Sequence, residues 1–310
     1  MQWQALSDVF HAVLFMGGLG LLLSLLLAIA NRRLWVFEDP RIDQVEEMLP
    51  HANCGACGTA GCRPFAEALV RGDLNPALCT VNPPDENLRI ARFLGVEAAH
   101  VERRVARLAC AGGIHVARMR AHYEGIGSCR AAALVGGGPK RCAWGCLGLA
   151  DCETVCDFDA ISMNGFGLPV VDAERCTACG DCVEVCPKDL FSLEPVSHRL
   201  WVACRNRLDG DEAEADCEVA CTACERCVKD SPEGLIEIRD HLAVIDYRKN
   251  RLASPVVVQR CPTGAIVWLD QVKGSIRGRE AKPIVRREPL PLEPLALGSG
   301  EEARGHRDAM

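Results

Sequence analysis

The sequence predicts an α+β protein, with several small cysteine-held modules behind one N-terminal transmembrane helix. Three observations carry that expectation. Twenty of the 310 residues are cysteine, the run from Val9 to Ala30 has no formal charge, and the cysteine-dense region repeats itself at an offset of 74 or 75 residues. Disulfide scaffolds this rich in cysteine are short and secreted, whereas 310 residues suggest two or three modules. Aromatics make up 5% of the chain, with Tyr123 and Tyr247 the only tyrosines, so a large aromatic core is not expected. A formal charge of −7 argues against a dedicated nucleic-acid binder. Holding metal is the remaining use for so many thiols.

Residues 9–30 read VFHAVLFMGGLGLLLSLLLAIA, interrupted only by His11. As a helix at ~1.5 Å per residue this run spans roughly 33 Å, enough for a bilayer core of ~30 Å. Ala28-Ile29-Ala30 mimics a signal cleavage site, but a signal peptide needs a basic leader, and Asp8 is the only charge before the run. Arg32 and Arg33 follow at once, which predicts a single anchor with everything after residue 31 in the cytoplasm. Gly20, Ser24 and Ala28 form a small-residue stripe that suits a close helix neighbour or is simply incidental among leucines. In a reducing compartment, closely spaced cysteines read as metal ligands before disulfides.

The expected organisation is an anchor (1–31), a linker (32–45) and a compact first cysteine module (46–84), closed by Pro83-Pro84. A connecting region (85–141) follows, in which 85–125 reads mainly as helix from the spacing of Ile90, Phe93, Leu94, Val101, Val105 and Leu108. A two-cluster module (142–200) and its degenerate copy (201–270) come next. Residues 271–310, rich in Pro, Gly and charge from Lys282 onward, are expected to be a disordered tail. The repeat is explicit: LPVVDAERC (168–176) echoes LAVIDYRKN (242–250), VCPKDLFSL (185–193) echoes RCPTGAIVW (260–268), and GCLGLADCETVC (145–156) echoes ACTACERCVKDS (220–231).

The strongest motif is Cys176-x2-Cys179-x2-Cys182-x3-Cys186-Pro187. This is the bacterial ferredoxin run, whose first three cysteines ligate one [4Fe–4S] cluster and whose fourth ligates the other. A zinc ribbon would show two separated CxxC pairs. Upstream, Cys146, Cys152 and Cys156 match the first, third and fourth positions of such a run, but the second is Leu149. Cys142 is the nearest substitute, with Cys129 and Cys110 as competitors. The expected sets are therefore Cys142, Cys146, Cys152 and Cys186 for one cluster, and Cys156, Cys176, Cys179 and Cys182 for the other.

In the second copy Cys221, Cys224 and Cys227 hold three positions, Ser231 replaces the fourth, Asn250 stands where the partner run should begin, and Cys261-Pro262 survives. Cross-ligation makes Cys221, Cys224, Cys227 and Cys261 one complete set, while all four ligands of the sister cluster are missing together. The first module reads Cys54-x2-Cys57-x4-Cys62-x16-Cys79, with Gly55, Gly58 and Gly61 allowing tight backbone folding around sulfurs and a short helix from Pro64 to Val70. A structural zinc site is the alternative there. Four [4Fe–4S] clusters are thus expected. Cys110, Cys129, Cys204 and Cys217 remain, as a fifth cluster or as buried free thiols.

No GxGxxG, Walker loop or nucleophile constellation is present, and His51, His100, His115 and His122 read as surface or packing residues. Residues 89–140 carry a local charge of +6 and residues 205–240 one of −6. The basic stretch, including Arg103 and Arg104, suits an acidic redox partner or is an ordinary solvated face.

One membrane helix, then CGACGTAGC, GGPKRCAWGCLGLADC and CTACGDCVEVCP, resembles the B subunit of Rnf-type electron-transport complexes in its longer, polyferredoxin form. The similarity covers about residues 5–270. It implies a membrane-bound complex exchanging electrons between ferredoxin and NAD, coupled to sodium or proton movement, and carries Cys54, Cys57, Cys62 and Cys79 over as one cluster. It also implies soluble ferredoxin and membrane and flavin subunits as partners, and no nucleotide site of the chain's own. The implied location is a bacterial cytoplasmic (inner) membrane, with the iron–sulfur modules facing the cytoplasm. Asp157 after Cys156, Ser231 and the lost quartet depart from the pattern. Other readings are an adaptor feeding a redox regulator or a nitrogenase supply chain, and a non-redox iron–sulfur scaffold.

Overall fold

A computed structural model describes residues 2–34, 38–97, 99, 101–270 and 273–292. Helix α1 (Gln2–Leu34) ends with Arg32 and Arg33 in its last turn, where cations complement the helix dipole. Its segment Val13–Leu34 is long and apolar enough to cross a membrane, and none of it is buried against the rest of the chain.

The first module packs α2 (Arg41–Glu47), α3 (Cys62–Arg71) and α4 (Pro84–Leu94) around Val45, Phe65, Leu69 and Ile90. Helix α3 encloses the helix expected from Pro64, and Gly72 stops it in the left-handed conformation. Arg63, next to Cys62, donates to Glu38, Asp43 and Glu46 at 2.6 to 2.7 Å, tying the segment after the anchor to this module.

Helix does not continue to residue 125. It ends at Leu94 with left-handed Gly95, and Val105 and Leu108 lie on strand β1 (Arg104–Leu108). Their near-helical spacing was overridden by pairing with a strand far downstream. There follow α5 (Cys129–Leu134), α6 (Asp151–Thr154), β2 (Ile161–Met163), β3 (Pro169–Val171), α7 (Asp181–Val185) and β4 (Phe191–Pro195). Strand β1 pairs antiparallel with β4, placing Leu108 opposite Phe191, and β2 pairs with β3. This is a ferredoxin-like βαββαβ unit whose first strand comes from the expected connecting region.

The second copy repeats the plan. It runs β5 (Leu200–Val202), α8 (Gly210–Asp216), α9 (Arg226–Lys229), β6 (Ile236–Arg239), β7 (Leu242–Ile245) and β8 (Ile266–Asp270). Strand β5 pairs with β8, β6 with β7, and β9 (Gly274–Arg277) adds to β8. Equivalent backbone bonds seal both copies: Ala109 N–H donates to Leu190 O and Ala203 N–H to Ala265 O, each at 2.8 Å. The copies also join directly, through Ala111 N–H to Ala203 O at 2.9 Å and Trp201 Nε1 to Leu108 O at 2.9 Å.

The expected tail is docked as far as it is described. Lys282 N–H donates to Pro262 O at 2.9 Å, Leu290 N–H to Ile114 O at 3.0 Å, and Arg286 bonds His115 O and Glu218 at 2.9 Å each. Polar composition did not prevent docking, because backbone bonds, the Arg277 and Arg286 side chains and the Lys282–Glu214 and Arg226–Glu280 pairs supply the attachment. Residues 293–310, and His100, lie outside the described residues.

Candidate iron–sulfur centres

Five cavities are each lined by four cysteines, with empty volumes of about 300 to 360 Å³. One is lined by Cys54, Cys57, Cys62 and Cys79, another by Cys156, Cys176, Cys179 and Cys182, and a third by Cys221, Cys224, Cys227 and Cys261. The sequence grouped these residues in the same way. The other two cavities divide the remaining eight thiols differently. Cys129, not Cys142, lines a cavity with Cys146, Cys152 and Cys186, while Cys142 joins Cys110, Cys204 and Cys217.

The exchange has a local cause. Asp151, at the start of α6, accepts from Ser128 Oγ and Cys129 N–H at 2.9 Å and from Arg130 N–H at 3.1 Å, which caps α5 and seats Cys129 over the run. Leu149 leaves the second ligand position of the run open. Cys142 stands four positions before Cys146, as Cys217 stands four before Cys221, so the two occupy equivalent places in the repeat. Cys110 and Cys204 each follow the first strand of their copy after a single alanine. Ala-Cys occurs six times in the chain, so the dipeptide alone was no signal for these two.

The loops are shaped for sulfur ligation. Gly55 and Gly58 adopt φ of 72° and 86°, and Cys62 N–H is held by Asn53 Oδ1 at 2.8 Å. Gly61 is extended, and a Cβ there would lie 2.8 Å from that same oxygen, so a larger residue would displace the Asn53 side chain from Cys62 N–H. Backbone N–H groups point at sulfurs: Ala106 to Cys176 and Ala160 to Cys156 at 3.4 Å, and Leu190 to Cys186 at 3.5 Å. Such bonds raise the potential of a cluster by stabilising its more negative form. Thr80, beside Cys79, donates to the Thr177 carbonyl beside Cys176, so the first module abuts the ferredoxin run.

The donor set fits a cluster better than one ion. Four thiolates on zinc at ~2.3 Å would crowd within about 4 Å of each other. Among the described residues no three His, Cys, Asp or Glu side chains are grouped to hold a single metal ion. Thiols spread over a cavity wall suit a guest of several atoms. All twenty cysteines are free of disulfides.

The lost quartet is filled by protein. Ser231 Oγ donates to Val228 O at 3.0 Å, and Asn250 Nδ2 to Ser197 O at 3.1 Å. A 3₁₀ turn, Pro255–Val258, stands where the first copy has α7, with Val257 and Val258 in the core. Arg103 donates to the Glu174 carbonyl at 2.6 Å and Arg104 to that of Leu193, so these arginines also hold loops of the ferredoxin unit.

A family profile described as "Putative Fe-S cluster" matches residues 49–81, and one described as "4Fe-4S binding domain" matches residues 169–191. The chain is 40% identical to the B subunit of the Na(+)-translocating ferredoxin:NAD(+) oxidoreductase complex of Acetobacterium woodii, over 84% of this chain and 78% of that protein. It is 37% identical to the B subunit of the proton-translocating ferredoxin:NAD(+) oxidoreductase complex of Clostridium ljungdahlii, over 84% of this chain and 93% of that protein. It is 35% identical to the B subunit of the ion-translocating oxidoreductase complex of Methanosarcina acetivorans, over 84% of this chain and 98% of that protein. The chain belongs to this B-subunit family. Membrane association, iron–sulfur clusters and an electron-transfer role in an oxidoreductase complex follow from that membership together with α1 and the profiles.

In a B subunit of this kind, cluster loading must overcome protonated thiols. Burial pushes Cys146, Cys152, Cys182, Cys217 and Cys227 up to about 12 and Cys179 to about 11, from an ordinary 9.0. Neighbouring cysteines add to the shift, Cys129 and Cys186 acting on Cys152 and Cys110 acting on Cys146. Cluster assembly therefore releases protons. For the iron-free chain the sign is fixed. Between about pH 9 and 12 the unfolded state has lost thiol protons that the folded state retains, so folding stability falls as pH rises through that window. Urea unfolding of the iron-free protein at pH 7.5 and 10 should show a lower midpoint at pH 10. An unchanged midpoint would contradict the assigned burial.

Proposed function

We propose that this chain is the electron-relay subunit of a membrane-bound ferredoxin:NAD oxidoreductase, receiving electrons from soluble ferredoxin on the cytoplasmic side of a bacterial inner membrane. Ion translocation and nucleotide chemistry belong to its membrane and flavin partner subunits. The observation that carries this reading is the row of cysteine-lined cavities, joined at Thr80–Thr177 and through shared loops of the ferredoxin unit. Cys54, Cys57, Cys62 and Cys79 would hold one cluster. Cys156, Cys176, Cys179 and Cys182 would hold a second, Cys129, Cys146, Cys152 and Cys186 a third, and Cys221, Cys224, Cys227 and Cys261 a fourth. A bound [4Fe–4S] cluster supplies one-electron storage at low potential.

The chain's own residues set the conditions of that storage. Buried thiolates, backbone N–H groups and excluded water tune each potential, and helix α1 keeps the row at the membrane. The basic stretch 89–140 would steer an acidic ferredoxin toward the first module. Anaerobically purified protein should contain iron and sulfide in equal amounts, and dithionite should produce EPR signals that ferredoxin also elicits. Stoichiometric zinc without sulfide would sink the proposal. Silent EPR after reduction would favour a structural scaffold.

A further inference from the structure

The cavity between the two ferredoxin-like copies holds cysteines that lie outside both family profiles. We propose that Cys110, Cys142, Cys204 and Cys217 ligate a fifth [4Fe–4S] cluster that carries electrons from one copy to the other. The inference rests on the iron–sulfur reading of the other four sites.

The ligand set is built twice over. Cys142 and Cys217 occupy equivalent positions of the repeat, and Cys110 and Cys204 each lie just past the first strand of their copy. Each copy therefore contributes the same two positions to one shared site. Four thiols scattered at random would not arrive in equivalent pairs. The backbone makes room for them: a Cβ on Gly112 would lie 3.0 Å from Cys217 Sγ and 3.7 Å from Cys110 Sγ.

Charge points to an anionic guest. Lys140 lines this cavity at 3% exposure, and its Nζ donates to the Gly112 carbonyl. A buried ammonium is costly unless a counter-charge accompanies it. A cubane with four thiolates carries net negative charge in both oxidation states, and the lysine would stabilise the reduced one.

Two hydrogen bonds give the site its place in the row. Cys146 N–H donates to Cys110 Sγ at 3.4 Å, and Cys221 N–H donates to Cys204 Sγ at 3.3 Å. Cys146 lines the neighbouring cavity of the first copy and Cys221 that of the second. The fifth site thus touches a ligand residue of each neighbour. In the transfer one electron leaves one neighbouring cluster, reduces the fifth, and leaves it for the other neighbour. No bond or proton is exchanged.

Iron, sulfide and EPR spin count of the full-length protein test the assignment. The unaltered chain should hold about twenty irons, and Cys204→Ser about four fewer. Cys142→Ser combined with Cys204→Ser should still lose only about four, because both serve one cluster, whereas Cys142→Ser with Cys146→Ser should lose about eight. An unaltered chain at about sixteen irons, unchanged by Cys204→Ser, would overturn the fifth cluster while leaving the other four intact. A Cys142→Ser, Cys146→Ser chain losing only about four would also overturn it. Absence of sulfide altogether would instead defeat the underlying iron–sulfur reading. Lys140→Gln provides a readout independent of ligand loss. It should keep the full iron content and move one cluster's midpoint potential to a more negative value, and potentials that stay unchanged would overturn the placement beside Lys140.

Discussion

Cys129→Ser is expected to cost about four irons per chain, and adding Leu149→Cys to restore them. The second ligand position of the upstream run is Leu149, yet its backbone already has the shape of a ligand loop. Gly148 and Ala150, on either side, have φ of 74° and 67°. Ala223 and Glu225, flanking the equivalent Cys224, have 51° and 59°, and Ala178 and Gly180 around Cys179 have 59° and 104°. A cysteine at 149 would therefore enter a loop whose strained conformations the fold already sustains. The proposed ligand Cys129 would become dispensable. Iron and sulfide analysis of the single and double variants distinguishes the outcomes. Full iron in Cys129→Ser would remove Cys129 from the ligand set, and failure of the double variant to recover would show that the 148–150 loop is not equivalent to its counterparts.

A chain starting at residue 38, produced without its partner subunits, is expected to leave the membrane fraction entirely and keep its iron. The twelve Val, Leu, Ile and Phe side chains between residues 13 and 34 contribute about 4 to 7 kcal/mol to insertion at ~0.3 to 0.6 kcal/mol each. None of that segment is buried against the folded modules. The contacts of Arg63 with Glu38, Asp43 and Glu46 would all be retained. Fractionation by ultracentrifugation, with iron measured in each fraction, checks both halves of the expectation. Residual membrane binding would reveal a second attachment surface, and lost iron would show that the anchor supports the first module.

Much of the site was legible because ferredoxin ligation is local in sequence. Cys176, Cys179 and Cys182 are brought to one cavity by a short stretch of chain, and the same holds for Cys221, Cys224 and Cys227. Cys261, the distant member of the latter set, and Cys186, the distant member of the upstream set, could also be placed, because each is marked by the proline that follows it. Cys129 and Cys142 were not so marked. Proximity along the chain favours Cys142 for the upstream run, but Asp151 reaches back along the chain to seat Cys129 there instead. The strand at 104–108 was hidden for a related reason. Its residues pair only with Phe191–Pro195, and nothing local distinguishes them from one face of a helix.

The sequence by itself determined the long apolar N-terminal segment, the repeat, the absence of cysteine at Ser231 and Asn250, and three of the cysteine groups that line cavities. These rest on hydropathy, a repeat offset of 74 or 75 residues and ligand spacing, all of which can be read along the chain. Only the tertiary structure decided how the other eight cysteines divide. Cys110, Cys142, Cys204 and Cys217 meet because the two copies pack through Ala111–Ala203 and Trp201–Leu108, and no spacing within one copy encodes a cavity formed between two.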